Sequence, residues 1–405
     1  MDKKRPSFNI FNIQYALSQG LYWMGFCCCV AFTVVYLQGR GYTNSLIGML
    51  IALGNLVGVL LAPVLATYVD KVGRHGLFCS LAGLMIAQLV FQIVFMLIPG
   101  QNIIILASYM LYIAFVNAGG GLVTQLSTEL SDACGSVDFG VGRGTGSLFF
   151  AVTSAVVGVL LENVGTELLP YISGANLICQ VLLLNLIAHE LKQFPAPSYS
   201  GEVCAAESST LGEFLRNNKR FCFMMLGAML MYISHNLITS FLINPVRAVG
   251  GTTSDMGTLN GFMALVEFPM MMLYDRLTRR SRIDPPLGMC IGSAFFVLKG
   301  LAFALAGSVT AMYFASLLQP FSYAVITIAS VRYVVRYISP RDAAKGQSVT
   351  YGVTTLASVF SGLFGGVMYD HFPARTVLLV GAATAALGAV AVFVFSKPDS
   401  RNGEG

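Results

Sequence analysis

Apolar residues gather into twelve runs, at roughly 9–38, 44–69, 75–98, 102–131, 141–162, 166–190, 219–246, 254–275, 284–306, 308–338, 344–370 and 374–396, each near or above the ~20 residues a helix needs to cross a bilayer. Polar residues fall mostly in the short segments between runs. The pattern predicts an all-α integral membrane protein of twelve transmembrane helices, with neighbours packed as antiparallel hairpins. Four times an acid stands at the end of a run: Asp70-Lys71-Val72-Gly73, Glu162-Asn163-Val164-Gly165, Asp275-Arg276-Leu277-Thr278 and Asp370-His371-Phe372-Pro373. Asp70 and Asp275 are 205 positions apart, and Glu162 and Asp370 are 208. This is a half-length repeat with each half split again, a pattern that in apolar chains points to secondary transporters.

Composition agrees: 56% of the residues are hydrophobic and 11% charged, against about a quarter charged in a soluble domain. The distribution of charge matters more than its sum. With the N-terminus inside, the cytoplasmic segments hold Lys3, Lys4, Arg5, Lys71, Arg74, Lys192, Arg216, Lys219, Arg220, Arg276, Arg279, Arg280, Arg282, Arg336, Arg341, Lys345, Lys397 and Arg401. The outer loops hold Arg40, Arg247 and Arg375. That bias predicts both termini in the cytoplasm. Met1–Arg5 leads into a run too long for a signal-peptide core, so no cleaved signal is expected. Cys27-Cys28-Cys29 suggests a metal, but adjacent helical residues diverge and cannot share one ion. The cysteines read as small packing residues, and neither a metal nor another cofactor is expected.

The longest polar stretch, 192–218, divides the chain into an N-terminal six-helix bundle (1–191) and a C-terminal one (219–405). It ends in the amphipathic piece Leu211-Gly212-Glu213-Phe214-Leu215-Arg216. Glycines such as Gly58, Gly119-Gly120-Gly121, Gly142, Gly146 and Gly365-Gly366 lie inside runs, where they favour close helix packing.

Ala66-Thr67-Tyr68-Val69-Asp70-Lys71-Val72-Gly73-Arg74-His75 resembles the loop between spans two and three of the major facilitator superfamily. That pattern is glycine, three residues, aspartate, a basic residue, any residue, glycine and further basic residues. Ala66 replaces the first glycine. The copy Asp275-Arg276-Leu277-Thr278-Arg279-Arg280 carries Thr278 where glycine is usual. The resemblance covers nearly the whole chain and implies two pseudo-symmetric bundles working by alternating access. An aspartate at such a helix junction can accept backbone N–H bonds and pair with neighbouring arginines. Asp70, Lys71, Arg74, Asp275 and Arg276 are therefore candidate gating residues; a plain capping and turn role is the competing reading.

Ionisable residues inside spans are few, and each costs roughly 3 kcal/mol or more at the membrane centre unless paired or wetted. Arg143, His235, Glu267 and Lys299 stand out, whereas Arg332 lies near a span end and can snorkel. Glu267, in Ala264-Leu265-Val266-Glu267-Phe268-Pro269, is the carboxylate placed nearest a membrane centre. A carboxyl in low dielectric takes up a proton more readily than one in water, so Glu267 is the candidate proton carrier. Lys299 is its expected ion-pair partner, and His235 titrates in a useful range. The competing reading is a static Glu267–Lys299 pair joining two spans. Asn236, Asn117 and Gln319 are candidate polar contacts, with Tyr112, Ser322 and Tyr323 beside them. Gln19 and Trp23 share a helix face with Tyr15, a polar-aromatic stripe that suits a cavity lining or helix packing.

From Asn117-Ala118-Gly119 through Gly142-Arg143-Gly144-Thr145-Gly146-Ser147, the chain resembles spans four and five of the lactose permease and its oligosaccharide:proton symporter relatives. Pro340-Arg341-Asp342-Ala343-Ala344-Lys345-Gly346-Gln347-Ser348 is similar to the same branch. The resemblance implies that Arg143 contacts substrate, that Phe150 is the aromatic stacking on it, and that Glu267 and Lys299 match the charged residues of spans eight and nine. Thr124 stands at or beside the branch's span-four carboxylate, so galactoside recognition is not implied. Phe321 and Ala324 lie near its span-ten histidine and glutamate.

The expected function is secondary active transport: proton-coupled symport of a small polar solute such as a sugar, nucleoside or organic acid. An efflux antiporter is the first alternative, although Ala151–Gly158 lacks the glycine-proline motif common in span five of exporters. A non-transporting sensor is the second, because the span-ten titratable pair is missing. No enzyme is expected. The expected partners are solute, protons and the lipid bilayer, without nucleic acid; the expected form is a monomer in the plasma membrane, specifically a bacterial inner membrane.

Overall fold

The computed structural model describes residues 10–134, 137, 139–194, 210–279 and 283–397, and every element among them is helical. In chain order these are α1 (Ile10–Phe26), α2 (Thr33–Gly39), α3 (Asn44–Val72), α4 (Arg74–Leu97), α5 (Ile103–Cys134), α6 (Phe139–Val164), α7 (Leu169–Leu191) and α8 (Leu211–Asn217). There follow α9 (Lys219–Thr239), α10 (Ile243–Ala248), α11 (Thr253–Arg279), α12 (Pro285–Leu305), α13 (Val309–Ser316), α14 (Val325–Tyr337), α15 (Ala343–His371) and α16 (Ala374–Phe395). Two π-helical segments, Cys27–Ala31 and Pro320–Ala324, interrupt the series.

Among the described residues, ten helical stretches are long and apolar enough to cross a membrane. The number is eleven when α1 and α2 count as one span bent by 46°. Twelve spans were expected. The predicted run 254–275 corresponds to α11, whose 27 residues lie outside that count. The predicted run 219–246 is not continuous: α9 stops at Thr239, and a turn leads into the short α10. Leu60, Val64, Leu97, Leu182, Leu387 and Val390 are each more than 60% exposed. Apolar exposure on this scale suits contact with lipid tails, not water.

The chain forms two contact units, one of Met1–Arg40 with Leu53–Gly201 and one of Gly41–Ala52 with Glu202–Gly405. In the first unit, α1 lies close against α6. A Cβ on Gly20 would sit 2.8 Å from the Phe149 ring, and Gly146 leaves room for Trp23. Tyr15, Val69, Leu77, Leu81, Leu122, Leu126 and Ile187 form the core beside this contact.

The turn between α3 and α4 explains the Asp70 motif locally. Gly73 has φ +75°, a conformation that favours glycine. Its N–H bonds the Val69 carbonyl at 2.7 Å and closes α3. Arg74 follows at once. Its Nε meets Glu129 at 2.9 Å, and its Nη1 donates to the carbonyls of Leu191 at 3.0 Å and Phe194 at 2.8 Å. One guanidinium therefore ties α4 to α5 and caps the end of α7.

In the second unit, α9 and α16 meet through Gly227 and Gly388, where a Cβ on Gly227 would lie 2.7 Å from the Gly388 carbonyl. Met224, Met231, Phe296, Ile326 and Tyr333 are buried around them. The opening turns of α3 also belong to this unit. They pack backbone against backbone on α15, with Gly48 on Gly362 and Gly366 on Asn44. The carboxylate of Asp370 then accepts from the Asn44 backbone N–H (2.8 Å) and side-chain amide (3.0 Å), and from the Ser45 backbone N–H (2.7 Å) and hydroxyl (2.5 Å). Asp370 thus caps the start of α3 and not its own helix.

Candidate functional site

Four polar side chains form a connected line inside the second unit. Lys299 on α12 is almost wholly buried, as are His235 on α9 and Gln319. The Lys299 Nζ lies 3.0 Å from the His235 Nδ1 and donates to the Gln319 Oε1 at 2.9 Å. The Gln319 Nε2 donates to the Glu267 Oε2 at 3.1 Å. With Lys299 charged, its ammonium can only donate, which makes the His235 Nδ1 the acceptor and places the ring proton on Nε2. The ammonium also lies 4.7 Å from the centre of the Phe296 ring, a further stabilising contact for a buried cation.

Local sequence explains this convergence. Pro269 inside α11 lacks an N–H and loosens the helix just beyond Glu267. Pro320 begins the π-helical segment Pro320–Ala324 directly after Gln319. π-Bulges add a residue to one turn and are frequent at functional sites. Tyr323, on the same segment, lies with its ring 4.7 Å from that of His235. Tyr232, one turn before His235, meets the Thr327 hydroxyl at 3.2 Å.

The expected direct Glu267–Lys299 ion pair is corrected here: the amide of Gln319 stands between the two charges and bonds both. Periodicity placed both charges mid-span but could not give helix rotation. Asn236, adjacent to His235, points elsewhere and donates to the Ser358 hydroxyl on α15 at 3.0 Å.

The first unit holds a second cluster. The Arg143 guanidinium lies 4.2 Å over the Trp23 ring, and its Nη1 donates to the Ser147 hydroxyl at 3.0 Å. Gln19 is buried and donates to the Tyr15 hydroxyl at 3.0 Å. The α1–α6 contact thus joins Arg143, Trp23, Gln19 and Tyr15. Phe150 is half-buried, whereas its neighbour Phe149 packs on Gly20. Asn117 bonds the Asn55 side chain at 2.8 Å and links α5 to α3. Two cavities of about 20 Å³ in this unit, lined in part by Tyr22, Met85, Gln88 and Gln180, are of single-water size.

Of the candidate gating residues, Asp70, Lys71 and Arg276 are exposed. Asp275 lies on α11, and its side chain is outside the described residues. Among those whose side chains are described, Arg74 has a built partner set, and its buried partner Glu129 was not a gating candidate from sequence. An arginine in the motif with an acid near the end of the next-but-one apolar run was the available signal.

A family model, MFS_1 like family, matches residues 14–380. The chain belongs to the MFS_1 like family. No curated protein matches it in sequence. Among solved structures it is similar to a mutant form of the nucleoside transporter NupG, with a TM-score of 0.80 at 15% identity over 96% of this chain and 100% of that one. It is similar to the peptide transporter POT, again in a mutant form, with a TM-score of 0.71 at 11% identity over 96% of each chain. A bacterial homologue of the human lysosomal transporter Spinster, inward-facing and unoccupied, gives a TM-score of 0.69 at 14% identity over 97% of this chain and 98% of that one. At these identities the likeness shows the fold, and this member of the family has the fold of those membrane transporters.

Proposed function

We propose that the chain is a secondary active transporter that couples proton uptake at Glu267 to symport of a small polar solute by alternating access. The observation that carries this reading is the line Glu267–Gln319–Lys299–His235, half-buried at Glu267 and buried at the other three, in which one titratable acid is wired through hydrogen bonds to a cation and an imidazole. A purely structural role would be met more cheaply by apolar side chains, since burying charge is costly. Arg143 on Trp23 is the proposed solute contact of the first unit, with Gln19 and Phe150 beside it. The resemblance to the lactose permease branch at Asn117–Ser147 and Pro340–Ser348 is consistent with this assignment, as is the fold shared with solute transporters. Twelve spans with both termini cytoplasmic follow from the apolar runs and the positive-inside bias.

The solute class is a sugar, nucleoside or organic acid. The test is uptake into liposomes carrying the purified protein under an inward proton gradient, using radiolabelled members of each class. Glu267→Gln is expected to abolish uphill accumulation while leaving solute exchange intact. Undiminished uphill uptake by that variant overturns the assignment of Glu267.

A further inference from the structure

We infer that Trp23 is the positioning residue of the first unit: its indole face holds the Arg143 guanidinium so that the in-plane N–H groups meet oxygen acceptors on the solute. The inference rests on the proposed reading of Arg143 as a solute contact. It gives Trp23 a role through that arginine in place of a contact of its own. A guanidinium is planar, with a face that stacks on aromatic rings and five N–H groups at its edge. Stacking and hydrogen bonding therefore use different parts of it and do not compete. Here the guanidinium carbon lies over the Trp23 ring, 4.2 Å from its centre, while Nη1 donates to the Ser147 hydroxyl at 3.0 Å.

The indole is itself held. α6 offers it a notch at Gly146, where a Cβ would collide with the ring. The rings of Tyr22 and Phe26 lie 5.6 and 5.1 Å from it, centre to centre. Tyr22 is fixed in turn by its hydroxyl, which donates to the Val116 carbonyl of α5 at 3.1 Å. Earlier on α1, Tyr15 fills a second α6 notch at Gly142. Two α1 rings thus seat on α6 to either side of Arg143 in sequence, which fixes how that helix is rotated. Filling space is not a sufficient reason for an indole, because Phe149 fills the notch of Gly20 in the same helix contact with a phenyl ring.

An arginine side chain loose in a cavity samples many rotamers, and a solute that binds it must fix them, which lowers affinity. Trp23 and Ser147 fix this one beforehand. Of the aromatic faces, indole attracts a cation most strongly. Both Arg143 and Trp23 are half-buried, where that attraction is less screened than in bulk water. Removing the ring leaves the charge in place but the fork loose. A contact that serves binding in this way alters affinity and leaves turnover at saturation unchanged.

The chain has a single tryptophan, so the emission of the full protein in lipid nanodiscs reports Trp23 alone. Without solute, Arg143→Gln is expected to change that emission, because it takes the cation off the ring; identical spectra overturn the inference. Uridine, D-glucose and succinate serve as probes, one for each solute class, with affinity read by equilibrium binding of the radiolabelled compound and turnover by exchange in liposomes. Arg143→Gln is expected to weaken the binding of any probe that the unsubstituted protein binds. At saturation the emission of the unsubstituted protein should move by less than half the change caused by Arg143→Gln, since the guanidinium stays on the ring. A larger move means that the solute displaces the arginine or stacks on the indole itself, and overturns the inference. Trp23→Leu should raise the dissociation constant about tenfold while saturated exchange stays within about twofold, and Trp23→Phe should recover most of the loss. Trp23→Met repeats the test if the leucine variant does not fold. Unchanged affinity in the folded variant overturns the positioning role and leaves Arg143 standing as a solute contact. Unchanged affinity in Arg143→Gln, or binding of none of the three probes, removes both.

Discussion

At the residue scale, the rarest side chains in the apolar runs proved the most informative. Arg143, His235, Glu267 and Lys299 were singled out because each is expensive in hydrocarbon, and three of the four belong to one hydrogen-bonded line. Arg143 joins Trp23, which the sequence also marked. What could not be read was the connecting residue. Gln319 is one of several polar residues at mid-span, and its reach depends on a π-helical turn that no periodicity reports. Asn236 makes the converse point: adjacent to His235 in sequence, it diverges on the helix and donates to Ser358 on α15. If Arg143 is the solute contact of the first unit, Arg143→Ala should abolish solute-induced thermal stabilisation while leaving unliganded thermal unfolding nearly unchanged. An unaltered stabilisation by the same solute would remove Arg143 from the site.

At the element scale, helix ends hold the fold through polar contacts that composition alone does not disclose. The Gly73 turn was legible, because the Asp70 motif names its glycine and only the φ angle remained to be seen. The partner of Arg74 was not, because Glu129 lies 55 residues on, near the end of the next helix, and its burial depends on how α4 and α5 pack. Its carboxylate is 1% exposed. Removing one member of a buried pair typically costs about 3–5 kcal/mol, since the other charge is left uncompensated. Glu129→Gln keeps the shape and should still lower the thermal unfolding midpoint clearly; a double substitution with Arg74→Met should recover part of the loss. The cap on α3 makes a second case. Asp370 accepts from two backbone N–H groups and two side chains at the start of that helix. Asp370→Ala should cost about 1 kcal/mol, the usual worth of a cap. The loss should show as faster hydrogen exchange at Asn44 and Ser45, with α9 and α16 unaffected. Equal acceleration everywhere would mean that Asp370 has a wider role than capping.

At the scale of the whole molecule, the decisive question is the sign of the coupled fluxes. The charge bias of the loops predicts which face meets the cytoplasm, and so which way a cellular proton gradient drives Glu267. One charge crossing 100 mV carries about 2.3 kcal/mol. At about 1.36 kcal/mol per tenfold, that supports a solute gradient of roughly fifty-fold, so a single titrating carboxyl suffices for uphill transport. The missing titratable pair near Phe321 and Ala324 therefore does not exclude coupling; under the proposed function the whole burden would fall on Glu267. With solute added outside and no gradient imposed, a symporter draws protons inward and the external medium becomes more alkaline. A proton-driven exporter in the same orientation, working in reverse on external solute, sends protons outward and acidifies it. We expect alkalinisation in right-side-out vesicles for any solute that raises the thermal stability of the purified protein, and none in Glu267→Gln. Acidification would replace symport by antiport while keeping the fold and the family. No pH change with any stabilising solute would point to uncoupled transport or to a binding role alone, and measured solute flux would tell those two apart.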